Sequence, residues 1–156
     1  MKVGIGQDSH RFDFNNSRKK LVLGGVVFDG YPPLYGNSDA DVVLHSLTNA
    51  ISGVSCTNIL GKISDHMCLN LGITDSREYV LEALKYLGKM RIIHVSISIE
   101  CKTPIITPKI PEIRTSIARL LSISESCVGI TATTGEGLTA FGRGEGIQVF
   151  SCVTVE

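Results

Sequence analysis

Alternation and helical spacing divide the chain into short segments. Val3 to His10 alternates at period two, which places Val3, Ile5 and Gln7 on one face of a strand and Gly4, Gly6, Asp8 and His10 on the other. Leu21-Val22-Leu23 and Val26-Val27-Phe28, either side of Gly24-Gly25, predict a second strand or hairpin that Tyr31-Pro32-Pro33 ends. Ser38-Asp39-Ala40-Asp41 reads as an N-cap with an acidic residue three positions on. The amphipathic helix it opens, with Val43, Leu44, Leu47, Ile51 and Val54 inward, reaches about Gly53 and presents Asp41, His45, Thr48, Asn49 and Ser52 on a polar face. Ser55 to Thr74 has weak periodicity and two glycines, and reads as a long, partly mobile loop with room for a helical turn, a candidate lid.

Asp75-Ser76-Arg77-Glu78 repeats the capping pattern and predicts a helix with Val80, Ala83, Leu84 and Leu87 inward, stopped near Gly88. In Ile92 to Glu100, Ile93, Val95, Ile97 and Ile99 oppose His94, Ser96, Ser98 and Glu100, as in a strand with two different faces. Thr103 to Pro108 is a rigid connector, and Pro111 suits the first turn of a helix carrying Ile113, Ile117, Leu120 and Leu121. Cys127 to Thr134 and Ile147 to Val155 predict two further strands around the glycine-rich run Gly135 to Gly146. About five strands and three main helices that do not strictly alternate predict a single α+β domain, a mixed sheet with helices packed on one face.

Composition adds an assembly argument. Apolar residues make up 43% of the 156 and charged ones 19%, with no tryptophan, so part of the apolar surface is expected to meet another subunit. A mass of 16.8 kDa predicts about 7,600 Å² of folded surface, within reach of one domain. Fifteen basic residues against fifteen acidic ones leave no net field to attract nucleic acid or an anionic membrane, so an anionic ligand needs a local site. Five widely spaced cysteines without C-x-x-C predict reduced thiols in a cytosolic setting. No signal-like segment precedes Gly4 and no apolar run approaches ~18 residues, which disfavours secretion and membrane spanning.

Two local patterns can carry chemistry. Asp8-x-His10 on one strand face plus His45 on a helix supplies two imidazoles and a carboxylate, which leave a tetrahedral ion one open position, as in catalytic zinc sites. On spacing alone the same residues also read as an exposed or capping pair and a solvated helical histidine. The glycine-rich run lacks G-K-[ST] and is not a P-loop. Its N–H groups and the neighbouring threonines suit a diphosphate cradle with Glu136 holding a hard cation, or equally a flexible hairpin with glycines at positive φ. Arg143 reads as an anion grip or a solvated charge, Ser38 first as a cap, and Asp65 as solvated; His66 and His94 have no partners at ligand spacing.

Gly4-Ile5-Gly6-Gln7-Asp8-Ser9-His10-Arg11-Phe12, Ser38-Asp39-Ala40-Asp41-Val42-Val43-Leu44-His45 and Gly142-Arg143-Gly144-Glu145-Gly146 together resemble the 2-C-methyl-D-erythritol 2,4-cyclodiphosphate synthase family. Leu23-Gly24-Gly25-Val26, Asp75-Ser76-Arg77-Glu78 and Thr133-Thr134 extend the likeness to nearly the whole chain. The resemblance implies one such domain over residues 1–156, in a homotrimer with active sites between subunits. It implies a phosphorus–oxygen lyase of the non-mevalonate isoprenoid pathway. That enzyme converts 4-diphosphocytidyl-2-C-methyl-D-erythritol 2-phosphate to the 2,4-cyclodiphosphate and CMP, in the cytoplasm or, in a plastid-bearing source, the stroma. By resemblance, Asp8, His10 and His45 hold Zn2+ or another divalent transition metal, and Glu136 holds Mg2+ or Mn2+. Thr133 and Thr134 contact the diphosphate and nucleotide. Cys101 and Ile105-Ile106-Thr107 offer main-chain groups to cytosine, Gly61 and Arg143 join the substrate site, Ser38 touches phosphate, and Asp65 reaches the erythritol hydroxyls. Ser38, Asp65 and Thr134 are thereby the catalytic side chains.

The chain departs from the family pattern at Asn37, where a histidine is usual, at Asn49 and Ile59, where ribose-binding aspartates are usual, and at Gly137, where a lysine is usual. Asn58-Ile59-Leu60-Gly61 replaces G-D-I-G, and Ser64-Asp65 follows with one residue fewer. Metal ligands persist while ribose contacts weaken, which motivates an alternative: a non-catalytic trimeric metal- and ligand-binding relative with weakened nucleotide binding. A metal-dependent hydrolase is a third reading, opposed by the lack of a general base beside Asp8 and His10. Gln7 and Ala140 stand where aromatics commonly line the trimer axis, so isoprenoid diphosphate binding there is a weaker expectation.

Overall fold

Ten residues of unbroken alternation, Lys2–Arg11, form β1, paired antiparallel along its whole length with β6 (Gly146–Val155). A computed structural model describes residues 1–156. β6 pairs antiparallel with β4 (Ile92–Glu100), and β4 pairs parallel with β5 (Val128–Thr133), so the sheet runs β1-β6-β4-β5 and is mixed. The hairpin of β2 (Leu21–Leu23) and β3 (Val26–Phe28) stands apart from it. With α1 (Val42–Ser55), α2 (Lys62–Asp65), α3 (Ser76–Leu84) and α4 (Ile110–Leu121), the α+β class and the single domain hold, with six strands instead of five.

The glycines of β1 decide how α1 sits. A Cβ on Gly6 would lie 2.1 Å from the Ser46 carbonyl oxygen, and one on Gly4 2.1 Å from that of Ala50, so the bare backbone of β1 lets the helix backbone approach closely. Thirty-five buried apolar residues form one core on this side of the sheet. The opposite face carries Val3, Ile5, His94, Ser96, Ser98 and Phe150, all exposed and uncovered by any helix. The chain exposes 8097 Å², close to the roughly 7,600 Å² its mass leads one to expect.

Four sequence expectations change. Asp41, not Ser38, caps α1: its carboxylate accepts the Leu44 N–H at 3.1 Å. The expected polar face of α1 is not solvated, since Asp41, His45, Thr48 and Ser52 are buried where the sheet and α3 enclose the helix. The expected loop from Ser55 to Thr74 holds more helix than the single turn anticipated, α2 continuing into a π-helical turn over His66–Asn70. Ile59 is fully buried, and Ile63, Met67 and Cys68 rest against the core, which supplies the packing that a periodicity search over a short segment misses. Finally, a bulge between Ile92 and His94 buries Ile92 and leaves Ile93 only half-buried.

The remaining elements agree with expectation. Asp75 caps α3 by accepting the Arg77 N–H at 3.0 Å, and Gly88 ends the segment at a φ of +62°. Pro111 lies in the first turn of α4. All five cysteines are free thiols, and no helix is long and apolar enough to cross a membrane.

Candidate metal centre

Asp8 and His10 emerge side by side from β1, two residues apart on the face turned toward α1, and His45 enters from the first turn and a half of α1. Close helix–strand contact at Gly6 and the Asp41 cap bring the three together. His10 Nε2 lies 3.0 Å from Asp8 Oδ2, His45 Nδ1 lies 3.1 Å from the same oxygen, and the two nitrogens are 3.2 Å apart. Ligands of tetrahedral zinc at about 2.0–2.1 Å stand about 3.3 Å from each other, so this triangle has the size of one face of such a coordination sphere. The donor set therefore fits a divalent metal, and its open side is where a fourth ligand would bind.

The Asp8 carboxylate is ready to ligate, whereas a metal must displace a proton from His10. Burial raises the Asp8 carboxyl, but hydrogen bonds from His10 and His45 and their charges outweigh it and hold it at about 2, ionised at neutral pH. Burial lowers His10, while the Asp8 carboxylate more than offsets it, so the imidazole titrates above its ordinary value. His10 Nδ1 donates to the Tyr35 carbonyl at 2.7 Å, which leaves Nε2 for the metal. Lys19 Nζ donates to the flanking Leu34 and Gly36 carbonyls at 3.0 Å each and so steadies the strap that orients His10. On the other ligand, His45 Nε2 meets Ser76 Oγ at 2.9 Å and Ser38 Oγ at 3.4 Å.

Ser38 thus stands beside the metal triad rather than capping a helix; its hydroxyl also accepts the Ala40 N–H. The other anticipated residues are placed apart. Thr133 and Thr134 are exposed at the end of β5, and their hydroxyls accept the N–H groups of Gly135 and Glu136 at 3.3 and 3.4 Å. Glu136 is exposed with a left-handed φ of +52°, between Gly135 and Gly137 at +75° and +71°. Arg143 pairs with Glu145 at 3.0 Å on the surface. Gly61 and Asp65 are exposed on the α2 segment. Cys101 is buried, its thiol pushed up to about 12 by burial and by Glu100, while Ile105 and Thr107 are exposed around the buried Ile106. None of these shares a hydrogen bond with the triad.

A 740 Å³ cavity is lined by Ser9, His10 and Phe12 from the first strand and by Phe141, Gly144 and Gly146 from the glycine-rich run, and reaches neither His45 nor Glu136. That run is held down by the Phe12 N–H donating to the Glu145 carbonyl at 3.0 Å and by Thr139 Oγ1 donating to Glu100 at 2.7 Å. Sequence reasoning missed Tyr35, Lys19, Asp39 and Ser76. Ser76 was visible only as part of a helix start, because its contact with His45 spans 31 positions and no local spacing encodes it.

Comparison with known proteins bears on all of this. The model of the YgbB family matches residues 1–156. The 2-C-methyl-D-erythritol 2,4-cyclodiphosphate synthase of Chlamydia felis is 49% identical over 155 residues, covering 99% of this chain and 88% of the relative. Among solved structures, the bifunctional IspDF of Campylobacter jejuni superposes with a TM-score of 0.87 at 29% identity, over 98% of this chain and 41% of that longer one. IspF of Plasmodium falciparum, in a complex with CDP, gives a TM-score of 0.81 at 26% identity, over 99% and 94% of the two chains.

Proposed function

The chain belongs to the YgbB family, and from that premise we propose that residues 1–156 form one cyclodiphosphate synthase domain, a phosphorus–oxygen lyase. Its proposed reaction takes 4-diphosphocytidyl-2-C-methyl-D-erythritol 2-phosphate to 2-C-methyl-D-erythritol 2,4-cyclodiphosphate and CMP. The observation that carries this reading is the Asp8–His10–His45 triangle, with edges of 3.0 to 3.2 Å. The CDP complex of the Plasmodium relative supports a cytidyl nucleotide as the leaving portion.

In the reaction a 2-phosphate oxygen forms a bond to the β-phosphorus, the bond from that phosphorus to the bridging oxygen breaks, and CMP leaves with the electron pair. The attacking oxygen is already ionised near pH 7, so the protein needs alignment and charge compensation more than a general base. Asp8, His10 and His45 would hold zinc and Glu136 would hold Mg2+ or Mn2+, which would supply the positive charge that a neutral protein lacks. Asp8 stays ionised as a ligand, His10 presents Nε2 because Tyr35 holds its other nitrogen, and Ser38 beside His45 donates to phosphate. Thr133 and Thr134 and the N–H groups after them bind the diphosphate. Arg143 and Gly61 complete the substrate site, Asp65 orients the erythritol hydroxyls, and Cys101 with Ile105 to Thr107 turns main-chain groups to cytosine. The outer face of the sheet, with Val3, Ile5 and Phe150 exposed on it, is the proposed trimer contact, and the cytoplasm the protein's proposed compartment.

A second reading is favoured by Ile59 and Asn49. Ile59 is fully buried and has no polar group for a ribose, and Asn49 Nδ2 donates to the Gln7 carbonyl at 3.0 Å. Both fit a metal- and ligand-binding relative with weak nucleotide affinity. Phosphorus NMR of the substrate incubated with the protein and Mg2+ decides between them: cyclic diphosphate with CMP supports the lyase, open-chain products point to a hydrolase, and unchanged substrate to the binding protein. His45→Ala is expected to reduce bound zinc to background by elemental analysis and to stop CMP release. Full zinc content in that variant would remove His45 from the ligand set.

A further inference from the structure

We infer that Ser76 and Asp39 form a relay that keeps the proton on His45 Nε2, so that Nδ1, turned toward Asp8 and His10, is the nitrogen that gives up hydrogen to a metal. Ser76 is fully buried at the start of α3, and its Oγ lies 2.9 Å from His45 Nε2. The same hydroxyl donates to Asp39 Oδ1. A serine has one hydroxyl proton, and with that proton committed to a carboxylate its oxygen can only accept from the imidazole. Nε2 must then carry hydrogen, and Nδ1, 3.1 Å from Asp8 Oδ2, is the nitrogen that exchanges its hydrogen bond to the carboxylate for a metal.

Asp39 is held for this purpose by two backbone donors, the Ser76 N–H at 3.1 Å and the Asp41 N–H at 3.0 Å. The relay therefore ties the segment before α1 to the start of α3 through one histidine. Ser38 Oγ is farther from Nε2, at 3.4 Å. The two histidines are oriented differently: a backbone carbonyl fixes His10, whereas side chains fix His45 and can be changed by substitution. Ser76 and Asp39 are positioning residues and touch no reacting atom.

This inference rests on the triad being a metal site, and its test separates the two. Zinc affinity of the full chain, measured by competition with a chromophoric chelator, is expected to fall roughly 10- to 100-fold in Ser76→Ala and roughly tenfold in Asp39→Asn. In the cobalt-loaded protein, each ligating histidine contributes one exchangeable N–H proton resonance shifted far downfield. Ser76→Ala should speed solvent exchange of the His45 signal and leave that of His10 unchanged, an effect that a general loss of stability would not single out. Unchanged affinity in Ser76→Ala, or weaker affinity with both N–H signals as in the parent, overturns the relay while leaving the metal site standing. If the parent chain takes up neither zinc nor cobalt, the metal reading itself fails.

Discussion

Asp41 gathers three backbone N–H groups on one buried carboxylate: Gly24 at 2.8 Å, Gly25 at 2.7 Å and Leu44 at 3.1 Å. It welds the β2–β3 hairpin to the start of α1, one turn before His45. Burial, and then the charge of Asp39, push its carboxyl up to about 6 despite those donors. In the unfolded chain the group titrates near 3.8, so its protonated form favours folding fully below that pH, and the contribution is lost as the pH rises through about 6. Asp41→Asn cannot titrate. Its destabilisation relative to the parent, measured by urea unfolding, should therefore shrink by on the order of 3 kcal/mol between pH 4 and pH 7. A pH-independent difference would show that the N–H donors cancel the cost of burial. Asp41 also shows what a single chain of letters can reveal: its acidic character and place before an apolar run marked a helix start, but only the folded hairpin shows that Gly24 and Gly25 need it.

At the scale of elements, the site depends on how closely α1 lies on β1. A Cβ at Gly6 would meet backbone atoms of Ser46 and Ala50 at 2.1 and 2.3 Å, and backbone cannot rotate away as a side chain can. Gly6→Ala should thus destabilise the chain by about 3 kcal/mol or more and lower the thermal midpoint by roughly 6–12 °C. It should also weaken zinc binding by widening the gap between β1 ligands and His45. A midpoint and zinc affinity like those of the parent would mean that the two elements adjust freely. The alternation of β1 made the shared face of Asp8 and His10 legible, because a strand's side-chain direction is a local property. The π-helical turn over His66–Asn70 was illegible for the opposite reason, since its apolar residues find partners only in a core assembled from distant segments.

For the whole molecule, the sheet's outer face is a surface that no helix covers. Val3 is 58% exposed, Ile5 72% and Phe150 47%, on adjacent strands and with no helix above them. Part of the exposed apolar surface that the composition leads one to expect lies on this face. Sedimentation of the parent should give the mass of three chains. Ile5→Glu, which changes no contact in the core, should give monomers with an unaltered circular dichroism spectrum. A monomeric parent would refute the assembly. Zero net charge accords with the proposed reaction, because an anionic substrate held at metals and backbone N–H groups would need no basic protein.

Local rules in the sequence determined the strands, the helices that carry caps and periodicity, the common face of Asp8 and His10, and a neutral chain with apolar surface to spare. They determined the family as well, because its motifs are short and stand in order. Only the tertiary structure decided that the polar stripe of α1 is buried, that Asp41 rather than Ser38 caps the helix, that the middle of a supposed loop is helical, and that Ser76 stands behind His45. The physical reason is range. Backbone direction and capping depend on neighbours a few residues away, whereas burial, the size of a ligand triangle and the proton on an imidazole depend on groups that meet only when distant segments pack.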